Sequence, residues 1–394
     1  MKTVLWVLLS VAALSAADPG KAGMDPARLA RIGPRMKGFV DAGKAAGIVT
    51  IVQRHGVVAD VSVSGYLDLD KKTPMKVDSL FRIASCTKPI TATAVMILAE
   101  EGLLAITDPV EKYLPEFRDK KILVGDQLVK PSRLITLRDL LTHTSGLPAG
   151  GPSVLDDGGE KMKRTLAEVV ALESQLPLSF EPGTKWQYSN VGLATLGRIV
   201  EVVSGQPYDQ FLAERIFAPL GMKDTFFFVT PDEESRVATI YTDEKGVLKN
   251  AGVGLNRKGE AKYPAPEGGL YSTAGDLARF YQMMLNKGAL DGKRILSQAG
   301  VQLMTTVQTG DLTAGFAPGI GYGLGFSVVR NADGVFRMNS IGSFGHGGAY
   351  RTYTYADPGK DMVGIIMLQR TNGGGDMADE ISAFMTMAAA AIQE

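Results

Sequence analysis

The chain has 394 residues, and its 42 Lys plus Arg balance 42 Asp plus Glu without any long run of like charge. Phosphate binding needs clustered positive charge, so this balance argues against nucleic acid as a partner, and a length of this order leaves room for about two domains. The three histidines, His55, His143 and His346, lie far apart, and the single cysteine, Cys86, stands at no metal-type spacing from them. No metal or other cofactor is expected, and no disulfide can close within the chain.

The first residues, "MKTVLWVLLSVAALSAAD", set one Lys before an apolar run from Val4 to Leu14 and then Ser15-Ala16-Ala17. Charge, apolar stretch and small residues in that order predict a secretory signal over 1–17, cleaved on export. A membrane span needs about 20 apolar residues, and this run is shorter. The mature protein is therefore expected to be periplasmic or secreted, without a stable membrane span. Cys86 lies too far from the signal for lipoprotein-type acylation, and nothing in the sequence sets the oligomeric state.

Further along, "GIVTIVQRHGVVADVSVSGYLD" predicts a β-hairpin turning near His55-Gly56. From Thr87 to Glu101 apolar residues recur at helical spacing (Ile90, Ala94, Ile97, Leu98), with Gly102 as the stop. From about Asp108 to Lys262 helical patterns dominate. Thr136 to Asp139 reads as a capping box, Val191 to Val203 as an amphipathic helix with Gly205 behind it, and Thr273 to Asp276 as another capping box. Two late hairpins are predicted, "YGLGFSVVR-NADG-VFRMNS" and "YRTYTYA-DPGK-DMVGIIMLQ", followed by a final helix from Asp376 to Ile392 with Ile381, Phe384 and Met385 toward the core. The economical architecture is α/β (α+β): an antiparallel sheet built from both ends of the chain, flanked by helices, with a mainly helical domain inserted. Boundaries fall at 18–107 and 263–394 for the α/β domain and at 108–262 for the helical one. Glycine, at 46 residues of 394, exceeds the usual ~7% and points to many tight turns and close backbone approaches.

Chemistry gathers at "FRIASCTK". Residues three apart share a helical face, so Lys88 reaches Ser85, whereas Cys86 is turned about 100° away. Ser85 also sits at a helix start, where free N–H groups favour a developing anion. Cys86 reads as a small buried apolar residue and His143 as a structural hydrogen-bonder at a helix end.

Ser-x-x-Lys is weak evidence alone, but two more elements follow in order: Tyr188-Ser189-Asn190 and His346-Gly347-Gly348. With "ITLRDLLTHTSGLP", "PLGMKDT" and "GGLYSTAGDLARF" between them, the set resembles the serine β-lactamase and penicillin-binding protein superfamily, in its class C-like branch. That branch includes class C β-lactamases, D-Ala-D-Ala carboxypeptidases and family VIII carboxylesterases. The resemblance runs from about Ala22 to the C-terminus, and implies that the three motifs meet in a cleft between the two domains. It also implies an acyl-enzyme on Ser85, with Lys88 or Tyr188 as general base. A free Lys is protonated at neutral pH, so Lys88 would need its pKa lowered by roughly 3 units, about 4 kcal/mol, through burial. Asn190 would orient Lys88 and the substrate. The oxyanion hole would use the N–H of Ser85 and, by resemblance, that of Ala349.

Substrate choice turns on the third motif. Related β-lactamases carry Lys-Thr-Gly there to hold a carboxylate, and this chain has His346 and Gly347 instead. A mostly neutral imidazole and a missing hydroxyl weaken anion recognition. The resemblance therefore tilts toward a carboxylesterase on small neutral esters with weak β-lactam hydrolysis. The alternatives are a β-lactamase or D,D-peptidase and, less favoured, a non-catalytic cell-wall or β-lactam binder. Trp186 and Phe344 read equally as pocket walls or as core residues, and Arg351 meets either an anionic substrate or solvent. Gln308-Thr309-Gly310 only mimics Lys-Thr-Gly, lacking its cation.

Overall fold

The computed structural model describes residues 17–155, 159–331, 333, 338–372 and 378–393. The predicted signal, apart from Ala17, lies outside the described residues. The predicted first hairpin forms as β1 (Gly47–Arg54) and β2 (Val57–Asp68), turning through His55 and Gly56, both at positive φ. With β3 (Thr73–Pro74), β4 (Ile320–Tyr322), β5 (Ser327–Val329), β6 (Phe344–Gly347), β7 (Tyr353–Asp357) and β8 (Met362–Met367) they make one antiparallel sheet, ordered β4-β5-β6-β7-β8-β1-β2-β3. The two ends of the chain meet where β1 pairs with β8, Val49 opposite Met367 and Arg54 opposite Met362.

Helices cover both faces, which is why β1 and β8 read as nearly continuous apolar runs. Alternate residues point to opposite faces of a strand. Ile48, Val52, Met362 and Ile366 join one apolar cluster with Phe39 of α1 (Ile32–Asp41) and Phe384 of the C-terminal helix Asp379–Ala390. Val49, Ile51, Val363 and Ile365 join the larger one, which holds the helix Lys88–Glu100, called α2. That helix is buried from Lys88 to Leu98, covered all round rather than on one stripe.

Three further helices complete the frame: α3 (Leu137–Leu141), α4 (Asn190–Ser204) and α5 (Ala274–Leu285). The Thr136 capping box is complete, and α4 ends at Gly205 in the left-handed region, φ 70°. The box expected at Thr273 is only half formed. Thr273 caps the Asp276 N–H, but the Asp276 carboxylate accepts from Asp224 N and Thr225 Oγ1 at 2.8 Å instead. The β7–β8 hairpin is as expected. The other late hairpin is not, because β5 pairs with β4 and β6, while residues 334–337 lie outside the described residues. A turn signal marks where a strand ends and does not choose its partner.

Every strand of the main sheet comes from residues 47–74 or 320–367. We propose on that basis the division at 107/108 and 262/263. The intervening chain is mainly helical, with short ladders at Ile122–Val129 and Tyr241–Asn250.

Candidate active site

Ser85 lies half-buried in a 3₁₀ turn, Ala84–Thr87, that runs directly into α2. Ala84 just before it has φ 44°, a strained conformation for a residue with a Cβ. The N–H of Ser85 has no hydrogen-bond partner among the described residues, as expected for the first turn of a helix.

Lys88 is fully buried, and its Nζ donates to Ser85 Oγ at 3.0 Å and to the Glu267 carbonyl at 2.5 Å. Burial brings its pKa down from 10.5 to about 7; the negative Glu267 side chain resists that fall and Lys161 assists it. Glu267 is itself held by Lys161 Nζ at 2.9 Å and Tyr263 OH at 2.9 Å, and Lys161 also reaches buried Glu173 at 3.2 Å. Burial raises the Glu173 carboxyl to about 7.

The second motif arrives through the cap of α4. Ser189 is the N-cap residue and Asn190 the first helical residue, so Tyr188 is the last residue of the incoming loop. Its ring stands 4.7 Å from Lys88 Nζ and 4.4 Å from the His143 ring. Among the described residues the half-buried Asn190, expected to orient Lys88, is not one of its hydrogen-bond partners.

The third motif is β6 and the turn after it. His346 is 2% exposed, while Ala349, at the tip of the turn, is exposed and its N–H has no partner among the described residues. A Cβ on Gly348 would come within 2.1 Å of Thr352 Oγ1 and 2.5 Å of the Ile83 carbonyl, so only glycine lets this turn close against the Ser85 turn. Cys86, 1% exposed, joins the two from below: its Sγ lies 3.2 Å from the His346 carbonyl. Ser85, Lys88, Tyr188, Asn190, His346, Gly347, Gly348 and Ala349 thus belong to segments that converge on one place.

His143 and His346 are linked through Tyr322 of β4, 3.2 Å from His143 Nε2 and 2.9 Å from His346 Nε2. Ser189 N donates to His143 Nδ1 at 3.1 Å, and His346 Nδ1 lies 2.7 Å from the Gly347 carbonyl. His143 is the structural hydrogen-bonder expected. Burial, assisted by positive Lys88, holds the His346 pKa down to about 3 and that of His143 well below 6.5.

The remaining candidates separate cleanly. Trp186 and the 59% exposed Phe316 form an aromatic wall beside Tyr188, with Phe316 ring centres 5.5 and 5.2 Å from those of Trp186 and Tyr188. Phe344 instead packs into the core against Phe326. Arg351 faces neither substrate nor solvent: it is buried in an ion pair with Glu380. Gln308-Thr309-Gly310 precedes β4, and Thr309 Oγ1 accepts from Tyr322 N at 3.3 Å. Tyr322, Glu267 and Phe316 carry no motif signal in the sequence because each acts through a neighbour remote along the chain. The only local hint was the lone acid in "PAPEGGL".

The fold and this convergence define a serine hydrolase of the β-lactamase type, and the chain belongs to the Beta-lactamase family, whose profile matches residues 33–383. It is similar to Protein Rv1367c of Mycobacterium tuberculosis, 37% identical over 353 residues, 84% of this chain and 87% of that one. It is also similar to Esterase EstB of Burkholderia gladioli, 32% identical over 388 residues, 90% and 93% of the two chains. Among solved structures, EstCE1, a hydrolase with promiscuous acyltransferase activity, shares the fold with TM-score 0.78 at 24% identity, covering 92% of this chain and 99% of that one. Among the described residues no helix is long and apolar enough to cross a membrane.

Proposed function

We propose that the protein is an exported carboxylesterase that hydrolyses small neutral esters through an acyl-enzyme on Ser85. One observation carries the substrate class. At the third motif, where an anion would be met by a cation, stands a buried imidazole with both ring nitrogens already in hydrogen bonds. It offers a carboxylate neither charge nor donor. The aromatic wall of Trp186, Tyr188 and Phe316 supports the same reading, since it suits an apolar acyl or alcohol group. The likeness to an esterase over nine-tenths of the chain agrees.

In this mechanism Lys88, half deprotonated near pH 7, takes the Ser85 proton across the 3.0 Å hydrogen bond as Oγ attacks the acyl carbon. The N–H groups of Ser85 and Ala349 receive the oxyanion, each worth about 3 kcal/mol. The leaving alkoxide takes the proton from Lys88 or Tyr188. Water then attacks the acyl-enzyme by the reverse path, regenerating Ser85 and releasing the acid.

The test is hydrolysis of short-chain p-nitrophenyl esters and of nitrocefin by wild type and Ser85→Ala, with fluorescent penicillin labelling alongside. The expected result is strong ester turnover, lost in Ser85→Ala, with weak nitrocefin turnover. Rapid nitrocefin or D-Ala-D-Ala turnover with negligible ester activity overturns the reading. Stable labelling without turnover of any substrate identifies a binder instead.

A further inference from the structure

The hydrogen bonds around Tyr322 allow only one arrangement of protons. Ser189 N can only donate, so His143 Nδ1 is bare and a neutral His143 carries its proton on Nε2. At the other end the Gly347 carbonyl can only accept, so His346 carries its proton on Nδ1 and its Nε2 is bare. Tyr322 must therefore accept from His143 and spend its one hydroxyl proton on His346. The chain runs one way: Ser189 N–H to His143, His143 to Tyr322, Tyr322 to His346, His346 to Gly347. It ties the cap that presents Tyr188 to the strand that presents Gly348 and Ala349.

We propose that Tyr322 is a specificity-determining positioning residue: its hydroxyl occupies the one nitrogen of His346 that could otherwise carry a proton toward substrate, which keeps the third motif selective for neutral esters over carboxylate-bearing ones. This rests on the esterase reading above. A second proton on His346 Nε2 would set two donors against each other, the new N–H and the Tyr322 O–H that points at it, and so break the link as it stands. The groups facing His346 act in the same sense. Lys88 opposes a positive imidazole, as does any charge on His143, while Tyr188 lies 6.1 Å away between ring centres and Cys86 Sγ lies 3.2 Å from the His346 carbonyl.

The experiment combines Tyr322→Phe with two readouts. The first is the imidazole ¹⁵N spectrum of wild type and variant, assignable because the chain has 3 histidines. The second is kcat/KM for p-nitrophenyl butyrate against p-nitrophenyl hydrogen glutarate, a neutral and a carboxylate-bearing ester of similar length. Wild type should show His143 protonated on Nε2 and His346 on Nδ1. In Tyr322→Phe the His346 Nε2 resonance should shift, and the neutral-to-anionic preference should fall roughly tenfold, about the worth of one hydrogen bond. Reversed tautomers in wild type overturn the proposal without reference to activity. An unchanged preference in the variant also overturns it, including the case where both esters lose rate equally and Tyr322 merely packs. A wild type that prefers the glutarate ester refutes the neutral-ester reading instead, while the tautomers still report on the Tyr322 link.

Discussion

Replacing Lys88 by Met should abolish activity and yet stabilise the fold at mildly acidic pH. The Lys88 side chain is fully buried, and its pKa falls from 10.5 to about 7. A fall of about 3.5 units corresponds to a cost of about 5 kcal/mol for keeping the charge in the folded protein. Met has similar volume and no charge. Against that gain, the Glu267 carbonyl loses its 2.5 Å donor, which costs about 1–3 kcal/mol. The net expectation is a gain of a few kcal/mol at pH 6. Folded Lys88 sheds its proton near pH 7, whereas the unfolded chain keeps it until about pH 10.4. Between those limits the unfolded state binds more protons, so wild-type stability climbs with pH and the advantage of Lys88→Met shrinks toward zero or below. Urea unfolding of both proteins at pH 6, 8 and 9.5 measures this directly. A variant less stable than wild type at pH 6, or a difference that stays flat from pH 7 to 10, would refute the reasoning. The same titration predicts that wild-type ester kcat/KM rises with pH through an apparent pKa near 7.

Cys86→Ala should keep most activity and lose about 1 kcal/mol of stability, the scale of a small core truncation; a rate loss as deep as that of Ser85→Ala would make the thiol catalytic. Gly348→Ala should drive its Cβ into Thr352 Oγ1 and the Ile83 carbonyl, at 2.1 and 2.5 Å. That displaces the Ala349 donor from the Ser85 turn, and kcat should fall about 10²-fold, as when one oxyanion donor is removed; a wild-type kcat would show the donor is not used. Phe316→Ala, at a 59% exposed position, should leave stability within about 0.5 kcal/mol. It should raise KM for butyrate and hexanoate esters more than for acetate, and an equal effect on all chain lengths would remove Phe316 from the substrate wall.

Much of the site was legible in the sequence because its parts are local. A Ser and a Lys three residues apart share a helical face, and the structure keeps Nζ and Oγ at 3.0 Å. The Tyr188-Ser189-Asn190 and His346-Gly347-Gly348 motifs are likewise short contiguous runs, visible as they stand. Helix ends, the first hairpin and the separation of the sheet's two halves follow from periodicity and turn residues. These depend on neighbours a few positions away.

What only the tertiary structure decided depends on partners far apart in sequence. Arg351 could have met a substrate or solvent, and only folding puts Glu380 beside it. β5 pairs with β4 on one side and β6 on the other, since a strand's partner is set by the whole sheet. Lys88 is lowered because α2 is covered on every side, a burial no local pattern states. The neutrality of His346 has the same origin. A histidine in isolation titrates close to neutral pH, and it took burial beside positive Lys88, far away along the chain, to bring its pKa down to about 3.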